Sequence, residues 1–99
     1  LEQYIAEISQ VSKFLLEEYP IFFNNISEVI IQNNHWNFHN DNNTIIYANS
    51  SSLINQLIIL KEFENTIYPT KRLQDYRYID LRIKNQVIVK EKYHKGYNG

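Results

Sequence analysis

The sequence contains no cysteine and no methionine, and only two of its 99 residues are glycine. Without cysteine there is no disulfide framework, no thiolate zinc site and no cysteine nucleophile. The two glycines are Gly96 and Gly99, so the chain has no glycine-rich loop of the kind that cradles a phosphate or a dinucleotide. These absences exclude several common classes of enzyme and cofactor site.

Neither sign of charge is in clear excess, since the chain has ten Lys and Arg residues and eleven Asp and Glu residues, for a net charge of −1. A nucleic-acid-binding protein normally has a strong basic excess, so the composition argues against that class. No stretch approaches the roughly 20 apolar residues that cross a bilayer. Hydrophobic residues make up 43% and charged residues 21%, which is ordinary for a globular protein. We therefore expect one domain over residues 1–99. Because the chain starts with leucine, we expect it to be a fragment of a longer protein.

The spacing of apolar residues predicts an amphipathic helix over residues 1–19. Its apolar stripe consists of Tyr4, Ile8, Val11 and Leu15. Pro20 should end this helix, because the residue before a proline is pushed out of the helical region. Residues 21–23 are predicted to form a buried connector.

A second helix is predicted to begin at the serines of residues 50–52, which supply an N-cap, and to end before Pro69. Its apolar stripe consists of Leu53, Leu57, Leu60 and Ile67. Residues 70–75 should form a polar connector to the last part of the chain.

Alternating and β-branched residues predict five strands. The first covers residues 26–32. Residues 35–39 and 44–48 should form a hairpin, because the Asn and Asp residues between them favour a turn. Residues 76–83 should place Tyr76, Tyr78, Asp80 and Arg82 on one face and the intervening residues on the other. Lys84 and Asn85 form a tight turn into the last strand, residues 86–92.

The predicted order is α-β-β-β-α-β-β. Short turns between neighbouring strands favour a mainly antiparallel sheet. Each helix must bury one apolar stripe, and such a sheet offers one face for that purpose. The sequence therefore predicts an α+β fold with the helices packed on one face of the sheet.

The best candidates for metal ligands are His35, His39 and Asp41. Both histidines have the right parity to share one face of a strand. The two histidines are four residues apart, which is roughly 13 Å along a strand, so both side chains cannot bind the same metal ion. We interpret them as solvated histidines, and we predict no metal and no cofactor.

The chain has eight tyrosines, and several lie close in sequence to Arg72, Arg77, Arg82 and Lys84. Aromatic and cationic residues together suit a protein interface or stacking on single-stranded nucleic acid. The balanced charge favours protein over nucleic acid. An ordinary ladder of cross-strand contacts is an equally good interpretation.

The last predicted strand closes the fold, and a terminal strand often lies at a sheet edge. Such an edge either is protected by charges or accepts a strand from a partner. Lys90, Glu91 and Lys92 suit both roles, so the residues alone leave the choice open.

A family resemblance bears on that choice. Residues 78–82 (Tyr-Ile-Asp-Leu-Arg) and, after a turn, residues 85–90 (Asn-Gln-Val-Ile-Val-Lys) resemble the closing hairpin of the bacterial division protein FtsQ, called DivIB in Gram-positive bacteria. Residues 26–30, 45–47 and 53–60 follow the same order of strand, hairpin and helix. The closing hairpin is the most specific part of this resemblance.

The resemblance implies a scaffold of the division machinery, not an enzyme. Family members have one transmembrane helix, a POTRA domain and then a β domain outside the cytoplasmic membrane. This chain would be that β domain, on the periplasmic side, with its membrane anchor in an N-terminal part not included here. The implied partners are FtsB and FtsL, with FtsB adding a strand to the last strand of the domain.

The resemblance also implies which residues bind the partner. These are Arg82, Ile83, Asn85, Gln86, Val87, Ile88, Val89, Lys90 and Glu91. Ile83 stands where some family members have an aromatic residue, and Glu91 stands where some have a tryptophan. Arg82 and Lys84 would favour an acidic partner segment.

The competing hypothesis is an envelope or secreted domain that binds a small ligand or a polymer through a tyrosine-rich face. A hydrolase built around His35 and His39 is a third and weaker hypothesis.

Overall fold

The computed structural model describes residues 2–92, with side chains from Tyr4 onward. The predicted order of helices and strands is confirmed, with one additional short helix. The elements are α1 (Glu2–Glu18), α2 (Pro20–Asn25), β1 (Ile26–Gln32), β2 (His35–Asn40), β3 (Ile45–Asn49), α3 (Leu53–Ile67), β4 (Tyr76–Asp80) and β5 (Ile88–Glu91). Single 3-10 turns at Ser50–Ser52 and Leu73–Asp75 precede α3 and β4.

The five strands form one sheet in the order β1-β2-β3-β4-β5. Three neighbouring pairs are antiparallel, and β3 and β4 are parallel. The predicted α+β class and mainly antiparallel sheet are therefore confirmed, although the sheet is mixed. The parallel pair arises because α3 carries the chain back across the sheet between β3 and β4, which a short turn does not do.

Asparagines form the tight turns that set the register of the first three strands. Asn33 and Asn34 have φ angles of 51° and 66°, as a two-residue hairpin loop between β1 and β2 requires. In the next turn, the Asn40 Oδ1 accepts hydrogen bonds from the backbone N–H groups of Asn42 and Thr44, both at 2.9 Å. This second turn lies where the sequence predicted it, because asparagine bonds its own backbone in this way.

The helices pack on one face of the sheet around a core of large apolar residues. Its most deeply buried aliphatic members are Ile46, Leu57, Leu60 and Ile79. The predicted stripe of α3 is confirmed for its leucines, while that of α1 is only partly correct. Ile8 is 43% exposed and lies at the rim of a groove between α1 and β1.

Two local predictions about the helices are wrong. Residues 21–23 belong to α2, since Pro20 occupies the first turn of a helix, where its missing N–H costs nothing. Within α2 only Phe22 is buried, and Ile21 is 65% exposed. Ser52 stands at the N-cap of α3 but makes no side-chain capping bond. The Ser50 hydroxyl instead lies between the Trp36 Nε1, at 3.2 Å, and the Glu7 carboxylate, at 3.3 Å.

The predicted faces of β4 are wrong at its first two residues. The register with β5 shifts between Tyr76 and Tyr78, so an extra residue is accommodated there. Tyr76 consequently turns into the core and packs against Phe63 at 5.7 Å between ring centroids, while Arg77 is exposed. From Tyr78 to Asp80 the predicted alternation holds, with Ile79 in the core, but the strand ends at Asp80 and does not reach the predicted residue 83.

Candidate functional site: the free edge of strand β5

Strand β5 lies at one end of the sheet. It pairs with β4 on one side, from Tyr76↔Glu91 to Asp80↔Ile88. Within residues 2–92, no strand pairs with its other side. All four of its residues are exposed. The terminal strand is therefore an edge, and it is shorter than the predicted residues 86–92.

The hydrogen bonds at the end of β5 define which backbone groups face the free side. The Lys92 N–H donates to the Asp75 carbonyl oxygen at 3.1 Å. In an antiparallel pair, alternate residues direct both of their backbone groups to the same side. Ile88 and Lys90 thus face β4, as Lys92 does. The N–H and C=O groups of Val89 and Glu91 face the free side, where another strand can bond to them.

The connection between β4 and β5 forms the exposed end of the site. The Gln86 N–H donates to the Ile83 carbonyl oxygen at 3.1 Å, and Asn85 has a φ angle of 60°, so the predicted turn is present. Leu81 is buried, and its N–H donates to the Tyr47 carbonyl oxygen at 2.9 Å, which anchors the start of the loop to β3. Val87 packs against the core from the other end.

Arg82 lies on the open face of the sheet, the face without helices. Its Nε and Nη2 donate to the two carboxylate oxygens of Asp80 at 2.9 and 2.8 Å, and its guanidinium carbon is 5.0 Å from the ring centroid of Tyr47. The hydrogen bond from Arg82 is the main reason that the pKa of Asp80 lies below its usual value. Tyr47 belongs to β3, so β4 and β5 separate Arg82 from the free edge.

The charges of β5 differ in how far they are neutralised. The Glu91 carboxylate is 3.0 Å from the Lys71 Nζ, and that hydrogen bond raises the pKa of Lys71. The Lys92 Nζ donates to the Asn42 carbonyl oxygen. Among the described residues, neither Lys84 nor Lys90 forms an ion pair. The surroundings of the edge therefore have uncompensated positive charge.

Apolar side chains lie on both faces of the edge. Ile88 is 40% exposed on the open face, beside Lys90, and Val89 is 36% exposed on the helix face. Ile83, in the turn, is also exposed. A strand added here would form backbone hydrogen bonds with β5 and would also bury apolar surface on both faces of the sheet.

The histidines of β2 do not form a site. His35 and His39 lie on the open face, opposite Asn49 and Ile45 of β3. In the part of the chain that the structure describes, no three His, Asp or Glu side chains come together as metal ligands. His35 and Asp41 are exposed, and His39 is partly buried.

The tyrosines lie in several different parts of the molecule. Tyr47 and Tyr78 meet on the open face, with ring centroids 5.9 Å apart. Tyr19 and Tyr76 are buried, and Tyr68 lies under Arg72 at the end of α3. Tyr93 and Tyr97 lie outside the described residues. Among the tyrosines that the structure describes, Tyr47 and Tyr78 are the pair that meets on the open face, beside Arg82.

Comparisons with known proteins leave the family open. No protein-family model, curated protein or solved structure matches this chain. Within residues 2–92, none of the helices has the length and apolar character that crossing a bilayer requires. The resemblance to the FtsQ family stays a prediction that rests on the residues quoted above.

Proposed function

We propose that this chain is the extracytoplasmic β domain of an FtsQ-type division scaffold, which binds the FtsB–FtsL pair by strand addition to β5. The observation that supports this proposal is the free side of β5, where the backbone groups of Val89 and Glu91 have no partner strand among the described residues. The scaffold would be anchored in the cytoplasmic membrane by a single helix outside this chain, with the domain in the periplasm.

Backbone pairing supplies affinity in this mechanism, and neighbouring side chains supply specificity. Each outward residue of β5 offers one donor and one acceptor to the incoming strand. Lys84 and Lys90 are uncompensated, so they favour a partner segment that has acidic residues. Val89 and Ile88 would contact alternate apolar residues of the same segment, one on each face.

The loop residues would have a different role from the strand. Arg82 is already bound to Asp80 and lies above Tyr47, on the open face. In the proposal it contacts a short helix of FtsB that neighbours the added strand, together with the exposed Ile83 and the turn residues Asn85 and Gln86. Glu91 is paired with Lys71 and replaces the tryptophan anchor of some family members, so the strand and not an aromatic anchor would provide most of the affinity.

The test is the affinity of this chain for the extracytoplasmic part of FtsB from the same genome, measured by pull-down and biolayer interferometry. Val89→Pro removes an outward N–H without removing a bond to β4, so we expect binding to fall at least tenfold. Val89→Ala is the matched control, because it keeps the N–H and shortens the side chain. Full binding by a folded Val89→Pro variant would contradict the proposal.

A polymer-binding function has one observation in its favour. A cavity of about 210 Å³ on the open face is lined by residues that include Tyr47, Arg82 and His35. If this cavity is the site, Tyr47→Ala should abolish co-sedimentation with purified cell-wall polymer, while Val89→Pro has no effect. Strand addition predicts the opposite response to these two substitutions.

A further inference from the structure

The sheet has a second edge, which the sequence reading did not identify. Strand β1 lies at the opposite end from β5 and, among the described residues, pairs with β2 alone. It has seven residues, against four in β5, and its only charged residue is Glu28. Long edge strands are usually protected by lysine, proline or several charges, because their free backbone groups attract other strands. β1 has none of these, and its bulge, which is another such protection, lies only between Ile26 and Glu28, at one end of the strand.

The hairpin between β1 and β2 defines which residues of β1 face outward. Gln32 pairs with His35 across the two-residue loop, and in such a loop the closing pair exchanges backbone hydrogen bonds. Alternation then directs the backbone groups of Ile30 and Glu28 toward β2. Those of Val29 and Ile31 face the free side.

An apolar groove follows this edge on the helix face. It has a volume of about 400 Å³ and lies between α1 and the first two strands. Its lining includes Ile8, Val11 and Leu15 of α1 and Val29 and Ile31 of β1. Ile8 and Val29 are both exposed, although apolar residues of this size are usually buried. The uncovered apolar surface and the unprotected strand therefore form one continuous patch.

We infer that this patch is the interface of a homodimer, in which the β1 strands of two copies pair antiparallel about a two-fold axis at Val29. An outward-facing residue on the axis exchanges two backbone hydrogen bonds with its own counterpart, and Val29 is the outward-facing residue at the centre of the strand. This register places Glu28 opposite Ile30 of the second copy, so the two carboxylates do not oppose each other. The two sheets would join into one of ten strands.

A second copy fits this patch better than a different protein does. An isologous interface must be complementary to itself, and an apolar strand with a single off-centre charge meets that condition. β1 has no set of like charges that would select an oppositely charged partner, in contrast to the lysines near β5. Pairing β1 with β5 of another copy would use the shorter strand and would be a heterologous contact, which generates an open filament unless it closes into a ring. The homodimer leaves β5 free, so it is compatible with the proposed function and independent of it.

The first test is the molecular mass of the 99-residue chain in solution, measured by sedimentation velocity over a range of concentrations. We expect a closed species of twice the chain mass of 11.9 kDa. Val29→Pro should convert it to single chains, because it removes an outward N–H on the axis, whereas Val89→Pro on the other edge should leave the dimer intact. Single chains at every concentration up to about 1 mM, a filament that grows with concentration, or a dimer lost only in Val89→Pro would overturn the inference.

The second test fixes the register without destabilising the strand. The natural chain has no cysteine, so a single introduced thiol has no competing partner. Val29→Cys should form a disulfide-linked dimer on mild oxidation, because directly opposed residues have Cα atoms about 5.5 Å apart, within disulfide range. Ile30→Cys is the control, since the same register separates its two copies by roughly 8 Å. Equal crosslinking of both variants, or of neither, would contradict the register at Val29.

Discussion

Arg82 and Asp80 form a two-point ion pair at the end of β4, with Nε 2.9 Å from Oδ1 and Nη2 2.8 Å from Oδ2. The backbone N–H of Arg82 also donates to Oδ1, at 3.0 Å. The same guanidinium lies over the ring of Tyr47. The ion pair therefore fixes where the chain leaves the sheet and begins the loop toward β5, the proposed binding strand.

Asp80→Asn should lower the free energy of unfolding at neutral pH and have less effect in acid. Arg82 lowers the pKa of Asp80, chiefly through its hydrogen bond, so the ionised carboxylate stabilises the folded state. This contribution to the free energy of unfolding is fully present above the unfolded carboxyl pKa of about 3.9, and it is lost as the pH falls through the lower pKa of the folded state. The pair is partly exposed, so we expect a loss below about 1 kcal/mol at pH 7. Urea unfolding at pH 7 and pH 3, in a double-mutant cycle with Arg82→Gln, measures it. A loss that is equal at both pH values would argue against the ion pair as its source.

Tyr19→Phe should destabilise the fold and change its response to alkali. The Tyr19 hydroxyl is buried and donates a hydrogen bond to the Glu64 carboxylate. Burial is the largest cause of the raised pKa of Tyr19, and the hydrogen bond to Glu64 and the negative charge of Glu64 raise it further. Removing the hydroxyl leaves Glu64 without this donor, at a cost of about 1–2 kcal/mol. Because the pKa of Tyr19 is higher in the folded chain than in the unfolded chain, its contribution to the free energy of unfolding is complete below the unfolded pKa of about 10. This contribution is lost progressively as the pH rises above that value. Unfolding curves at pH 7 and pH 11 should therefore differ less in the variant than in the natural chain, and an unchanged difference would count against this account.

Proline substitution should distinguish the two sides of β5 in the free protein, without any partner. The N–H of Lys90 faces β4, while that of Val89 faces outward. Lys90→Pro should lower the free energy of unfolding by about 1–3 kcal/mol more than Val89→Pro, because it leaves a carbonyl of β4 without its donor. Thermal and urea unfolding followed by circular dichroism measure both. A greater loss in Val89→Pro would mean that the alternation along β5 is the reverse of the one described.

Thr44→Val should destabilise the joint between β3 and β4. The Thr44 hydroxyl is fully buried and donates to the Tyr76 carbonyl oxygen at 2.7 Å. Valine has nearly the same shape but no donor, so the carbonyl loses its partner, at a cost of about 1–3 kcal/mol. Thr44→Ser is the control, because it keeps the hydroxyl and deletes only a methyl group. If the serine variant were the less stable of the two, packing and not the hydrogen bond would dominate at this position.

Local patterns predicted most of the elements correctly. The stop at Pro20, the strand over residues 26–32, the asparagine turn after β2 and the end of α3 before Pro69 all lie where the sequence placed them. Each depends on neighbours in the chain, through a fixed proline φ angle, alternation along a strand or the side-chain bonds of asparagine. The closing hairpin and its turn also follow from such patterns, whereas the partner-binding residues come from the resemblance to the FtsQ family and stay a prediction.

Two of the errors have a different cause. Alternation along the strand predicts Tyr76 on the outer face, but the bulge that turns it inward exists only because β4 pairs with β5. The helical spacing predicts Ile8 in the apolar stripe, but whether α1 covers that residue depends on how far the helix extends over β1. No local signal reports either contact, because each is made between segments that are distant in the chain.

The sequence by itself determined which segments become helices and strands and where most of them stop, because those preferences act over a few residues. Only the tertiary structure decided that β3 and β4 run parallel, that Arg82 turns back onto Tyr47, and that β1 is left as a second edge among the described residues. Strand order is decided by the joint burial of apolar faces from the whole chain, and a strand becomes an edge when no remaining segment competes for its free side.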